Sequence, residues 1–317
     1  MSFNIQAFQQ NGFDIIALKD NKSGAQVEIV PAHGAMLHAF RVQHKGQLLN
    51  IIDNFDSKEE YQQQFATTFK GVKLSPFACR IPDKQYEWRE QSYKIKKSVL
   101  QDHAIHGLLY DAAFSVVEQT ASDDSASLLL EYDYKAEDAG YPFNYNCRVR
   151  YSLLPDHQLE IQTTLSNHEA TPIPVMDGWH PYFTTGTPVD ELELQFSATW
   201  LVEFDERLVP NGNLEPCEEF LQPLLLEGVS LDNSFLLSFD NPGPACSLYD
   251  RKQGITIDFY PEDTYPVLQV YIPPHRRSIA IENLSGAPDA FNNGMGLYQL
   301  ERDEPRTFGT RIQVRLA

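Results

Sequence analysis

Glu191-Leu192-Glu193-Leu194-Gln195-Phe196 sets a large apolar residue at every second position, with charged or amide residues between. A period of two puts Leu192, Leu194 and Phe196 on one face of an extended chain and Glu191, Glu193 and Gln195 on the other. That is the pattern of a strand with one face on a core and one in water. The period recurs where Ile255, Ile257 and Phe259 alternate with Thr256 and Asp258, and where Leu159, Ile161 and Leu165 mark His157–Ser166. Leu128-Leu129-Leu130 and Val267–Ile272 are continuous apolar runs, expected as strands buried on both faces. Asn11-Gly12, Asn211-Gly212, Asn241-Pro242-Gly243-Pro244 and Asn293-Gly294 supply turn punctuation. Only Ser57–Phe65 reads as a helix, with Ser57 as its cap and Glu60 closing a capping box. Many strands without alternating helices argue against a parallel α/β sheet and predict an all-β sandwich or barrel. No repeat, low-complexity tract or long linker divides the chain, so residues 1–317 are expected to form a single domain.

Composition narrows the function. The 317 residues are 42% hydrophobic and 12% aromatic, ample material for a core. Against 25 Lys and Arg stand 44 Asp and Glu, a formal net charge of −19. Such a chain repels nucleic acid and anionic membranes, no basic run offers an exception, and a neutral small-molecule substrate suits it better than a polyanion. Cys79, Cys147, Cys217 and Cys246 are scattered and form no metal-ligand spacing, which reads as reduced thiols in a cytosolic protein. Met1-Ser2-Phe3-Asn4-Ile5-Gln6 has neither a basic region nor an apolar one, and no later run approaches a membrane span, so a cytoplasmic location is expected.

Polar, ionisable residues interrupt the strand-like text at a few places. In Ser278-Ile279-Ala280-Ile281-Glu282, an extended chain points Ser278, Ala280 and Glu282 to one face, so the carboxylate has room beside it for a ligand. A solvent-facing Glu at a strand end would show the same pattern. His180 sits between Trp179 and Pro181, and the proline biases it towards an extended backbone. Trp179, Tyr182 and Phe183 could wall the C–H face of a sugar, or His180 could be a core histidine amid aromatic packing. His106 precedes Gly107, which suits a close turn around a ligand or a purely structural one. Arg80, between Cys79 and Ile81-Pro82, needs either a buried carboxylate or sugar hydroxyls. Asp232-Asn233 could form an Asx turn.

Taken together, Arg80-Ile81, His106-Gly107, His180-Pro181-Tyr182-Phe183, Asp232 and Glu282 resemble the aldose 1-epimerase family in order and rough spacing. Gly34-Ala35-Met36-Leu37, Ser166-Asn167, Pro172 and the stretch from Ile281-Glu282 to Ala287-Pro288-Asp289-Ala290-Phe291-Asn292 are similar to it as well. The resemblance spans roughly Gly34 to Leu300. It implies a large antiparallel β-sandwich of the galactose-mutarotase-like supersandwich type that interconverts the anomers of a free monosaccharide. Glu282 would be the base and His180 the acid; His106, placed with them in the catalytic set, would hold the sugar together with Arg80 and Asp232, and Trp179 would lie against it. Two features depart from the family: Leu108 follows Gly107 where many members have a second glycine, and Arg302-Asp303-Glu304-Pro305 replaces a Pro-Gly-Glu.

The chemistry matches those residue types. Opening a hemiacetal ring removes the proton of the anomeric hydroxyl and protonates the ring oxygen; reclosure after rotation about C1–C2 reverses both roles. A partly desolvated Glu is the stronger base, and a histidine near carboxylates stays protonated often enough to act as acid. The acid and base are expected about 5–8 Å apart, flanking one ring as paired carboxyls flank a glycosidic bond. No metal, nucleotide or redox cofactor is needed and no ligand spacing for one is visible. Lys73, Lys84 and Arg89 near Arg80 keep a hexose-6-phosphate epimerase open, and a non-catalytic sugar-binding protein on the same fold is the rival from another class.

Overall fold

A computed structural model describes residues 1–97, 99–240 and 242–317; Asn241, which opens one expected turn, lies outside them. Strands make up 53% of the structure and helices 6%. Among the described residues every ladder between these strands is antiparallel.

Three sheets dominate. A five-stranded meander runs from Phe3–Gln10 to Gln47–Asn50, its first hairpin closed by Asn11 and Gly12 at φ 50° and 85°. A nine-stranded sheet has Asn144–Leu154, Gln158–Asn167, Arg306–Leu316 and Ile255–Pro261 at its centre. The third sheet orders Pro210–Pro216, Ala198–Phe204, Asp232–Leu237, Val267–Tyr271, Ile279–Leu284, Gly178–Trp179 and Lys73–Leu74, with Tyr182–Phe183 also paired to Ile279–Leu284. The second and third sheets meet face to face through Phe183 on Phe259 (ring centroids 4.8 Å apart) and Trp179 on Tyr151 (5.6 Å).

The alternating runs are strands with the expected faces inward. Leu194, Phe196, Leu159, Ile161, Leu165, Ile255, Ile257 and Phe259 are buried. Three details differ from expectation. Leu129 is half-buried between buried Leu128 and Leu130, so that run faces the core on one side only. Asp258 is buried instead of wet, because its carboxylate accepts from the Ser247 hydroxyl at 2.6 Å and pairs with the Arg315 guanidinium. Asn211-Gly212 lies within the Pro210–Pro216 strand, where the register against Ala198–Phe204 slips.

The expected helix is present and three residues longer, Lys58–Thr68. Ser57 accepts from the Glu60 amide at 3.2 Å, while the Glu60 carboxylate accepts from the Asp56 amide at 2.7 Å, one residue before the usual capping-box partner. The helix ends at Phe69, which takes a left-handed conformation (φ 50°) and returns its N–H to the Phe65 carbonyl.

Candidate active site

Strand register assembles the site. In the third sheet Glu282 stands opposite Gln269, and Gln269 opposite Ser234. Two residues along each strand, Tyr182 faces Ala280, Ala280 faces Tyr271, and Tyr271 faces Asp232. Because side chains alternate across a sheet, these two rows share one face, while Ile279, Ile281 and Phe235 go to the core. Ala280 is fully buried and does not itself line the cleft. Arg80, Cys79, Ile105 and His106 close one wall and Thr67, Thr68 and Phe69 another, leaving an open cleft of about 160 Å³.

Glu282, His180, His106, Arg80 and Asp232 therefore converge. Trp179 does not. It neighbours His180 in an extended segment and so points to the opposite face, against Tyr151 and 4.6 Å from the Lys73 ammonium. The aromatic wall is supplied by Tyr182, stacked on His180 at 5.0 Å and 14°. Phe183, like Trp179, belongs to the core.

His180 is fixed through its backbone: the Gly71 amide donates to its carbonyl at 2.8 Å, and its own amide donates to the Val72 carbonyl at 3.3 Å. Behind it, Lys73 and Asp177 form a fully buried ion pair at 2.6 Å. Lys73 also donates to the Gly178 carbonyl at 2.7 Å, and the Tyr265 hydroxyl donates to Asp177 at 2.5 Å. His106 is held at φ 58° with its amide donating to the Cys79 carbonyl at 3.0 Å. Gly107 (φ 80°) is needed because a Cβ there would stand 2.4 Å from the Ser75 carbonyl oxygen. The glycine thus serves backbone packing beneath His106.

Nε2 of His180 lies 3.5 Å from Oε1 of Glu282, with side chains 7% and 2% exposed. This is closer than a pair flanking a ring. The expected 5–8 Å is too long because Tyr182 pairs antiparallel with Ala280, and two residues further along that register His180 comes beside Glu282. Oε2 of Glu282 and Nδ1 of both His106 and His180 have no hydrogen-bond partner. No carboxylate among the described residues pairs with Arg80, so the buried ion pair considered from sequence is not formed. Asp232 accepts from the Gln269 amide at 2.9 Å, and the Ser234 hydroxyl, donating to Gln269 at 2.5 Å, sets that amide's orientation.

Burial dominates the electrostatics. It raises the Glu282 carboxyl well above its ordinary value, with nearby Asp232 adding to the effect and Arg80 opposing it. It lowers His180 to about 3, which favours the neutral imidazole, whereas a histidine protonated often enough to act as acid was expected from sequence. His106 is likewise pushed well down, by burial first and then by His180 and Arg80. Asp232 is raised by burial, against the pull of Arg80.

Gln269, Tyr271, Phe69 and Cys79 were not anticipated as cleft residues. Gln269, an amide inside the apolar run Val267–Ile272, was the available signal. Cys79, His106 and Glu282 also present ligand atoms within 4.8 Å of one another, a cluster that chain spacing does not reveal. No helix among the described residues is long and apolar enough to cross a membrane.

The fold is that of the galactose mutarotase-like β-sandwich proteins. A galactose mutarotase-like protein from Clostridium acetobutylicum superposes with a TM-score of 0.87 at 15% identity, over 100% of this chain and 99% of that one. Galactose 1-epimerase from Lactobacillus acidophilus gives 0.82 at 18%, over 99% of each. Residues 14–313 match the family model for aldose 1-epimerase, and the chain belongs to that family. Among its relatives, Escherichia coli YihR, an uncharacterized protein, is 28% identical over 246 residues, 74% of this chain and 76% of YihR. Maltose epimerase of Levilactobacillus brevis is 23% identical over 262 residues, 76% of this chain and 74% of the relative.

Proposed function

We propose that the protein is an aldose 1-epimerase that interconverts the α and β anomers of a free monosaccharide. The observation that carries this reading is the buried Glu282–His180 pair, 3.5 Å apart at the floor of an open cleft, with an unpaired guanidinium beside it. Ring opening needs one proton acceptor and one donor, hence a pair that holds a single proton. Burial raises the Glu282 carboxyl well above its ordinary value and lowers His180 to about 3, which favours that proton on Glu282 over His180. A sugar that donates hydroxyls to Glu282 favours the carboxylate and moves the proton towards His180. Oε2 of Glu282 then takes the anomeric proton while His180 protonates the ring oxygen, and closure on the other carbonyl face returns both. Arg80, Asp232 and Gln269 bind the remaining hydroxyls, and Tyr182 faces the ring's C–H edge.

The lining supports a neutral substrate over a phosphorylated one. Lys73 is locked behind the sheet by Asp177, and neither Lys84 nor Arg89 lines the cleft, which leaves Arg80 as its only described Lys or Arg against two carboxylates. Polarimetry with glucose, galactose, arabinose, xylose, maltose and glucose 6-phosphate tests the reading. Faster mutarotation of a free sugar is expected. Saturable sugar binding without acceleration would replace the enzyme with a sugar-binding protein.

A further inference from the structure

Cys79, His106 and Glu282 come from three separate segments, yet their ligand atoms lie within 4.8 Å of one another and all three side chains are buried. Cys79 immediately precedes the Arg80–Ile81 strand, His106 follows His103–Ile105, and the antiparallel pairing of Arg80 with Ile105 brings the first two together. Glu282 reaches them from the sheet floor. Oε2 of Glu282 and Nδ1 of His106 are unpartnered. The Cys79 thiol and Glu282 carboxyl are each held towards the protonated form by burial, and His106 towards the neutral imidazole.

We propose that this cleft also binds a borderline-soft divalent cation of the zinc class, held by Cys79 Sγ, a ring nitrogen of His106 and the Glu282 carboxylate. Thiolate, imidazole and carboxylate are the donors such an ion prefers, whereas magnesium and calcium favour all-oxygen shells. Tetrahedral ligands at zinc bond lengths stand roughly 3.3–3.7 Å apart, so side-chain rotation must draw these atoms in by about 1 Å. A thiolate and a carboxylate neutralise the dication, which makes the buried complex uncharged overall. The thiol proton, and any proton on Glu282, leave to solvent; nothing is oxidised or reduced. A water fills the fourth position. Since Glu282 would serve either metal or sugar, zinc is expected to inhibit competitively. That competition rests on the epimerase reading; the metal binding does not.

The test uses the full chain after chelator treatment, titrated with zinc by calorimetry and with cobalt by absorbance. One equivalent should bind, with a cobalt–thiolate charge-transfer band. Cys79→Ser should abolish the band, and both Cys79→Ser and His106→Asn should weaken zinc binding at least tenfold, with circular dichroism confirming the fold. A band and zinc affinity that persist in folded Cys79→Ser would overturn the proposal by assigning the metal to another thiol. So would a wild-type protein that takes up no zinc at low-micromolar concentration. Zinc uptake as described in a protein without mutarotase activity would sink the epimerase reading alone.

Discussion

Replacing Glu282 by Gln tests the catalytic assignment most directly. The substitution keeps the side chain's shape at a site only 2% exposed and leaves the cross-strand neighbour Gln269 in place. It removes the proton acceptor. General-base catalysis contributes about 10²–10⁴-fold, which corresponds to about 3–5 kcal/mol of barrier. The fold should not suffer. Burial already disfavours the ionised carboxyl, so a neutral amide removes an electrostatic penalty and the melting temperature should stay level or rise. Stopped polarimetry with the preferred sugar should show kcat reduced by two to four orders of magnitude with little change in KM. A folded Glu282→Gln protein with near-normal kcat would refute the reasoning, because no other carboxylate lies within ion-pair distance of His180 among the described residues.

The remaining predictions use the same geometry. Arg80→Ala should raise KM as well as lower kcat, costing about 1.5–3 kcal/mol, or ten- to a hundredfold in kcat/KM; a change confined to melting temperature would make Arg80 a loop anchor instead. The pH profile of kcat/KM, corrected for the spontaneous reaction, should not fall as pH drops through 6.5, because burial keeps His180 neutral until about pH 3. It should fall as pH rises through the elevated Glu282 value, where the pair loses its single proton, so an acid limb centred near 6.5 would contradict the proton inventory. EDTA dialysis should not lower mutarotation, and a loss restored by zinc would turn the metal from competitor into cofactor. Lys73→Met should destabilise the fold by about 3–5 kcal/mol, since it strands the buried Asp177 carboxylate, and Lys73→Met/Asp177→Leu should recover much of that in thermal melts.

The fold was legible because a period of two is a local property. Leu192, Leu194 and Phe196 declare a strand face without reference to any partner, and the same holds for Ile255, Ile257 and Phe259. What escaped was whatever depends on a second strand. Leu129 is half-exposed although its neighbours in sequence are equally apolar, and Asp258 is buried because Arg315, on the adjacent Arg306–Leu316 strand, accompanies it. At the site, the face that Glu282 takes was readable from its alternation with Ile279 and Ile281, while the small neighbours Ala280 and Ser278 are buried and do not line the cleft. Trp179 was misplaced because it was grouped with His180 by adjacency, although adjacency in an extended chain means opposite faces. Cys79 gave no signal, since its importance arises only where Arg80 pairs with Ile105 and carries His106 alongside.

That alternation has a functional consequence. Trp179 inward and His180 outward mean that one backbone segment carries the core on one side and the proposed acid on the other. Core-facing Asp177 anchors the same segment through Lys73, while Gly71 and Val72 hold His180 by its backbone. The Lys73–Asp177 pair is held by three hydrogen bonds, two from Lys73 and one from Tyr265, and only Oδ1 of its carboxylate lacks a partner. The Glu282–His180 pair on the outer face is left with unpartnered atoms, Oε2 and Nδ1. Burial without satisfaction is costly in a resting protein, and a buried group left this way is poised to bind whatever supplies the missing partner. In the proposed epimerase a sugar hydroxyl is that partner for Oε2, whereas behind the sheet Lys73 and Asp177 already neutralise one another.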